Sequence, residues 1–223
     1  MCGRFTLVSD PISLQYRFTL SSIPFDLQPR YNIAPSQNIY AIISLDDGNR
    51  RIGELRWGLI PSWAKDERIG HKMINARAET LTEKPAFRNL INRKRCIIPA
   101  DGFFEWKQTP RGKQPMRILL KSGELFAFAA LYDTWINRAG QKVHTCTIIT
   151  TQPNELVRDI HDRMPVILQN QAAESIWLDR KVQDTEILQS LLTPYPADQM
   201  TAYPVSPVVG NPKIDEPVCI EPF

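Results

Sequence analysis

Arg95-Cys96-Ile97-Ile98-Pro99-Ala100-Asp101-Gly102-Phe103-Phe104-Glu105-Trp106 carries two short apolar runs, Arg95–Ile98 and Phe103–Lys107, separated by a proline, an acid and a glycine. β-Branched and aromatic residues dominate both runs, which predicts two strands. Successive side chains of a strand point to opposite faces, so Glu105 points away from both Phe104 and Trp106. Such a carboxylate is either a solvated edge residue or part of a concave, partly desolvated site. In the second case its pKa rises toward the range useful for proton transfer.

Strand-like runs continue on both sides: Ile39–Ser44, a turn at Asp46-Asp47-Gly48-Asn49, Arg51–Trp57, Met116–Leu120, Leu125–Tyr132 and Val143–Thr150. Lys121-Ser122-Gly123-Glu124 and Arg138-Ala139-Gly140 read as hairpin turns. Asp10-Pro11 reads as an N-cap followed by proline at the first helical position, opening a short helix to about Phe18. Residues 21–37 are polar and proline-spaced, which predicts a loop carrying Arg30-Tyr31-Asn32-Ile33-Ala34-Pro35. Helical spacing returns in Ala173, Ile176 and Trp177 and in Ile187, Leu188, Leu191 and Leu192, stripes expected to face the core. The proline-rich tail after Tyr203 is expected to wrap the surface in extended form. The class is α+β: one domain over residues 1–223, with a curved, barrel-like, mainly antiparallel sheet and peripheral helices.

The chain has 223 residues, 43% of them hydrophobic and 23% charged, enough to bury a full core. A net charge of +3 permits a polyanionic partner, but the basic residues are dispersed, so any nucleic-acid surface is a local groove. Cys2, Cys96, Cys146 and Cys219 form no CxxC pair and show no ligand-like spacing with the histidines, which argues against a metal site. No run approaches the roughly 20 apolar residues of a membrane span, and nothing resembles a signal peptide. The expectation is a cytoplasmic protein with reduced thiols.

Cys2 follows Met1 directly. Removal of Met1 leaves an α-amine and a thiol on adjacent carbons. The amine condenses with an aldehyde to an imine, and the thiol closes onto the imine carbon to give a thiazolidine. With an α-amine pKa of about 7.7–8.0, roughly a tenth of the amine is nucleophilic at neutral pH. Two further segments carry polar chemistry. In Ile74-Asn75-Ala76-Arg77-Ala78-Glu79, Asn75 and Arg77 share a face if extended, an amide to orient and a guanidinium for phosphate. In Asp159-Ile160-His161-Asp162-Arg163-Met164-Pro165, the flanking charges orient and tune His161. His71 and His144 have no such setting and receive no role.

Together these segments resemble the SRAP family, the SOS-response-associated peptidases also described as abasic-site processing proteins. The resemblance runs through Met1-Cys2-Gly3-Arg4-Phe5, Arg30–Pro35, Arg56-Trp57-Gly58-Leu59-Ile60-Pro61-Ser62-Trp63, Asn75–Thr80, Arg95–Trp106, Thr150-Thr151, Ile160–Leu168 and Pro204-Val205-Ser206 through Gly210-Asn211. It implies recognition of abasic sites in single-stranded DNA and their capture as a Cys2 thiazolidine crosslink, without cofactor or metal and as a monomer. It further implies that Asn75 holds the amine or the sugar, that Glu105 moves protons, and that His161 favours the open sugar. Arg4 and Arg77 would hold flanking phosphates, and Trp63 and Pro35 would stack or wedge where the strand kinks. The peptidase activity in the family name would here be limited to exposing Cys2. Two alternatives stay open at this point: an N-terminal-nucleophile cysteine amidohydrolase, and a single-stranded DNA-binding module that forms no covalent bond.

Overall fold

A computed structural model describes residues 2–223; Met1, whose removal the aminothiol chemistry requires, lies outside the described residues. The first half of the chain runs through β1 (Phe5–Leu7), α1 (Pro11–Phe18), β2 (Arg30–Ile33), β3 (Asn38–Ser44), β4 (Arg50–Trp57) and β5 (Asn75–Arg77). The central block is β6 (Arg95–Ala100), β7 (Gly102–Thr109), β8 (Gly112–Leu120), β9 (Phe126–Ile136) and β10 (Lys142–Thr151). The remainder comprises α2 (Glu155–Arg158), β11 (Met164–Pro165), α3 (Gln171–Leu178), α4 (Thr185–Ser190) and β12 (Met200–Pro204).

β10, β4, β3, β6 and β9 follow one another edge to edge, and β9 pairs back onto β10, so these five strands close a barrel. Every pairing in the ring is antiparallel except the β4–β10 seam, made by Thr145 opposite Arg56 and Cys146 opposite Trp57. A second, fully antiparallel sheet has the order β12-β8-β7-β1-β2. The α+β class and the barrel-like sheet expected from sequence are both present.

The Arg95–Trp106 stretch is where the two sheets join. β6 belongs to the barrel and β7 to the second sheet, with only Asp101 between them. The Asp101 carboxylate, 7% exposed, accepts from the Thr6 hydroxyl and from the Val8 and Ser9 backbone N–H groups, and lies 3.3 Å from the Arg117 guanidinium. It therefore fastens β1 to the corner and to β8. Gly102 is required by space: a Cβ there would sit 2.8 Å from Arg117 Nε and 3.0 Å from Thr6 Oγ1. Beneath the corner, Phe5 from the second sheet meets Trp57 and Phe128 of the barrel edge to face, with ring centroids 5.4 and 5.8 Å apart.

Local signals hold where they are strongest. Asp10 caps α1 by accepting from the Ile12 and Ser13 N–H groups, with Pro11 in the first turn. Four expectations are corrected. Arg30–Ile33 is strand β2, not loop, because it pairs with β1 and its Tyr31 and Asn32 N–H groups donate to Asp215. The turn at residues 121–124 is no hairpin: β8 stays in the second sheet while β9 enters the barrel. The helical stripes are only partly core-facing, since Ile176 and Ile187 are 37% and 46% exposed whereas Trp177 and Leu188 are fully buried. The tail after Tyr203 lies across the surface but is not extended: 3-10 turns at Pro207–Gly210 and Pro217–Cys219 fold it back, and the Val205–Pro222 bridge closes it.

Removing the corner carboxylate strands a buried guanidinium and three donors. Asp101→Ala is expected to cost about 3–5 kcal/mol, read as a lower midpoint in urea unfolding. An unchanged midpoint would show that the corner does not hold the two sheets.

Candidate active site

Upstream of β1 the chain continues along β7, with the Phe104 N–H donating to Arg4 O at 3.0 Å. This path brings Cys2 alongside Glu105. The Cys2 side chain is fully buried. Burial pushes its thiol well above the ordinary thiol range, and the neighbouring Glu105 carboxylate pushes the same way.

Glu105 alternates with its neighbours as the strand pattern requires. Phe104 packs outward in a cluster with Val205, Val209 and Cys219, against which Trp106 also rests. Glu105 points to the other face and is 2% exposed. Burial pushes its carboxyl up to about 7, with the Asp162 carboxylate adding to the shift. A carboxyl at that value exchanges protons readily in both directions at neutral pH.

His161 faces Glu105, with Nε2 3.9 Å from Glu105 Oε2. Its Nδ1 accepts from the Arg163 backbone N–H at 3.1 Å and lies 2.9 Å from Asp162 Oδ1. Burial lowers its pKa, which favours the neutral ring at pH 7. Asp162 and the Arg163 N–H both meet the ring at Nδ1, which leaves Nε2 as the nitrogen directed at Glu105. The loop bearing His161 is pinned by Arg163, whose guanidinium forks onto both Glu79 carboxylate oxygens at 2.8 Å and also reaches Thr150 O at 2.8 Å.

Asn75 opens β5, which lies parallel to β10 with Asn75 opposite Ile148 and Arg77 opposite Thr150. Its Nδ2 donates to Ile148 O at 3.4 Å, and its Oδ1 is buried with no hydrogen-bond partner among the described residues. An unpaired buried acceptor costs about 1–3 kcal/mol, so this oxygen retains the capacity to accept one further hydrogen bond. Arg77 is exposed one register step beyond Ala76. Because Arg163 binds Thr150 O, the Asn75–Arg77 strand and the His161 loop are attached to the same end of β10.

Trp63 is 59% exposed on a turn held at both flanks by β9. The Ser62 N–H donates to Asp133 Oδ2 at 2.8 Å, and the Trp135 indole N–H donates to Ala64 O at 2.7 Å. Pro35 is half-buried and precedes Ser36, which has a positive φ of 71°. Ser36 Oγ lies 3.2 Å from His71 Nδ1, and its N–H donates to Trp57 O at the end of β4. Arg4 is engaged within the protein: Nη1 donates to Asn32 Oδ1 and Val209 O, Nη2 donates to Gly210 O, and the guanidinium lies 5.9 Å from the Trp106 ring centre.

Cys2, Glu105 and His161 thus form one continuous group, and Asn75 and Arg77 approach along β10. Glu79, Asp133 and His71 carry supporting contacts that sequence reasoning did not assign. Their partners lie 84, 71 and 35 residues away in the chain, a separation that no local pattern spans.

A family model described as SOS response associated peptidase (SRAP) matches residues 1–212. The chain is 58% identical over 224 residues to Abasic site processing protein YoqW of Bacillus subtilis, covering 99% of each chain. It is 32% identical to Abasic site processing protein HMCES of Rattus norvegicus, over 86% of this chain and 64% of that one. A solved structure from Bacteroides thetaiotaomicron superposes with a TM-score of 0.88 at 29% identity, covering 100% of both chains.

The raised Glu105 value has a signed consequence for stability. Its folded pKa of about 7 exceeds the ordinary 4.5, so the unfolded chain releases this proton first and stability falls as pH rises from about 4.5 through 7. Glu105→Gln is expected to match the parent at pH 4 and to exceed it by about 1–3 kcal/mol at pH 8. Parallel denaturation curves at the two pH values would refute a raised Glu105.

Proposed function

The chain belongs to the SOS response associated peptidase (SRAP) family, and on that footing we propose that it captures abasic sites in single-stranded DNA covalently through Cys2. The observation that carries this reading is a buried carboxyl at about 7, set beside the Cys2 thiol and 3.9 Å from His161. The names of the YoqW and HMCES relatives support it.

The chemistry requires Met1 to be removed. The open form of an abasic deoxyribose bears an aldehyde at C1′. The Cys2 amine attacks that carbon to give a carbinolamine, and loss of water gives the imine. Glu105, half-protonated near neutral pH, donates the proton that lets water leave. The thiol then adds to the imine carbon. Because burial holds the thiol protonated, Glu105 takes that proton as the C–S bond forms, and the former imine nitrogen receives one. The product is a thiazolidine whose mass is protein plus DNA minus one water. Both nucleophiles belong to one residue, which gives the second step a high effective molarity.

The remaining residues bind and orient. Asn75 Oδ1 accepts a hydrogen bond from the amine or from a sugar hydroxyl. His161 meets the sugar O4′ through Nε2, by binding it or by protonating it, and favours ring opening. Arg77 meets a phosphate, and Trp63 with Pro35 offers a platform on which any base can stack. Arg4 keeps its guanidinium on the Val209 and Gly210 carbonyls behind β7, so it anchors the segment after Cys2 instead of meeting a phosphate. Peptidase action is confined to exposing Cys2. No helix of the described residues is long and apolar enough to cross a membrane, and we assign the protein to the cytoplasm, on DNA when active.

The test is denaturing electrophoresis of the Met1-processed protein with single-stranded DNA bearing one abasic site. A heat-stable adduct at the mass given above is expected with abasic DNA, none with intact DNA, and none with Cys2→Ala. Absence of an adduct with the processed parent would overturn the reading. Glu105→Gln is expected to slow adduct formation by about 10²–10⁴-fold, quantified by quenched time courses. Trp63→Ala is expected to weaken binding to intact single strands by about 1–3 kcal/mol in anisotropy titrations, leaving thermal stability unchanged.

A further inference from the structure

The last twenty residues make a set of contacts that neither the fold nor the proposed chemistry absorbs. Beyond β12 the chain crosses the outer face of β7 as a strap. Val205 and Val209 are fully buried against Phe104, and Tyr31, Trp106, Ile214 and Ile220 pack around them. The strap is closed on itself by the Val205–Pro222 bridge and by the Phe223 N–H donating to Pro204 O at 2.9 Å. Its backing therefore lies directly behind the segment of β7 whose inner face presents Glu105.

Polar contacts tie the same strap to the strand that ends in Cys2. Asn32, fully buried on β2, is the hub. Its Oδ1 accepts from Arg4 Nη1 at 2.8 Å, and its Nδ2 donates toward the Val209, Asn211 and Ile214 carbonyls at 3.1, 3.1 and 2.7 Å. Arg4 itself donates to Val209 O and Gly210 O. Asp215 completes the clamp by accepting from the Tyr31 and Asn32 N–H groups and pairing with Arg30. Arg4 is thereby held at both levels, its carbonyl by Phe104 on β7 and its guanidinium by the strap.

Only Gly3 separates Arg4 from Cys2. Gly3 has no side chain with which to hold the segment, so the fixed point nearest the Cys2 backbone is Arg4. How firmly Arg4 is held then limits how far the aminothiol can swing. We propose that the carboxy-terminal strap is a positioning element of the reaction centre, acting through Asn32 and Arg4 on Cys2 and through Phe104 and Trp106 on Glu105. This proposal rests on the covalent reading above. Asn32 and Asp215 are positioning residues, since neither touches the reacting atoms.

The test compares the processed parent with Asn32→Ala and Asp215→Ala in single-turnover adduct formation on abasic single-stranded DNA, over a range of DNA concentrations. Asp215 is the milder site, its side chain being 25% exposed, and it guards against a variant that fails to fold. A displacement near 1 Å at the nucleophile costs up to about 100-fold. The expected result is a limiting rate constant about 10- to 100-fold lower for Asn32→Ala and reduced to a smaller degree for Asp215→Ala. The half-saturating DNA concentration and the final adduct yield should stay unchanged. A merely structural strap would lower the yield through loss of folded protein and leave the rate constant intact, which would overturn the proposal. A parent that forms no adduct would instead sink the covalent reading, so the two failures are distinct.

Discussion

The buried Asp101 carboxylate is the constraint on which the rest of this structure depends. It sits where a continuous stretch of chain leaves a closed barrel and enters a second sheet. Its two oxygens gather donors from β1, from the residues just after it, and from Arg117 on β8. A buried charge without such partners would cost several kcal/mol, so the arrangement is all or nothing. Once it forms, β1 has a single place to lie, and Cys2 and Glu105 are brought onto neighbouring paths. The close approach of Arg117 to Gly102 leaves no room for a side chain at the bend.

Much of this is legible in the amino-acid sequence. The alternation of Phe104, Glu105 and Trp106 gave the face of Glu105 correctly, because a period of two is a local property of the backbone. The cap at Asp10 was equally local. The errors share a different origin. Arg30–Ile33 looks like loop because its residues are polar; it is a strand because β1 runs beside it and Asp215, from the far end of the chain, satisfies its N–H groups. Lys121–Glu124 looks like any hairpin turn, yet the strands it joins take partners in different sheets. At the site, the residue types of Asn75, Glu105 and His161 could be read, but the supports under them could not. The fork of Arg163 on Glu79 and the grip of Asp133 on the Trp63 turn are decisions of packing, made between segments that share no local pattern.

The two titrating groups of the site are driven apart from their ordinary values in opposite senses by one cause. Withdrawal from water raises the Glu105 carboxyl and lowers the His161 imidazole. Both shifts favour the uncharged form, which suits the proton transfers proposed for this site. For Glu105 the same burial lowers the stability of the fold as pH rises from about 4.5 through 7, a local cost that the surrounding structure offsets. Here the surroundings are a barrel with an aromatic core on one side of β7 and the strap on the other.

The interior position of β1 has a mechanical consequence. In the order β12-β8-β7-β1-β2, the strand following Cys2 is flanked on both sides. Phe5 stands opposite Ile33 on one flank and Phe103 on the other, and Thr6 O accepts from the Asp101 N–H. A pull on Cys2 directed along the chain would load β1 along its own axis. The hydrogen bonds of both flanks would then share that load together instead of parting one at a time, and the Asp101 contacts would bear on the same strand. A three-residue strand, trivial by length, is thus anchored on both flanks, with its strongest resistance along its own axis.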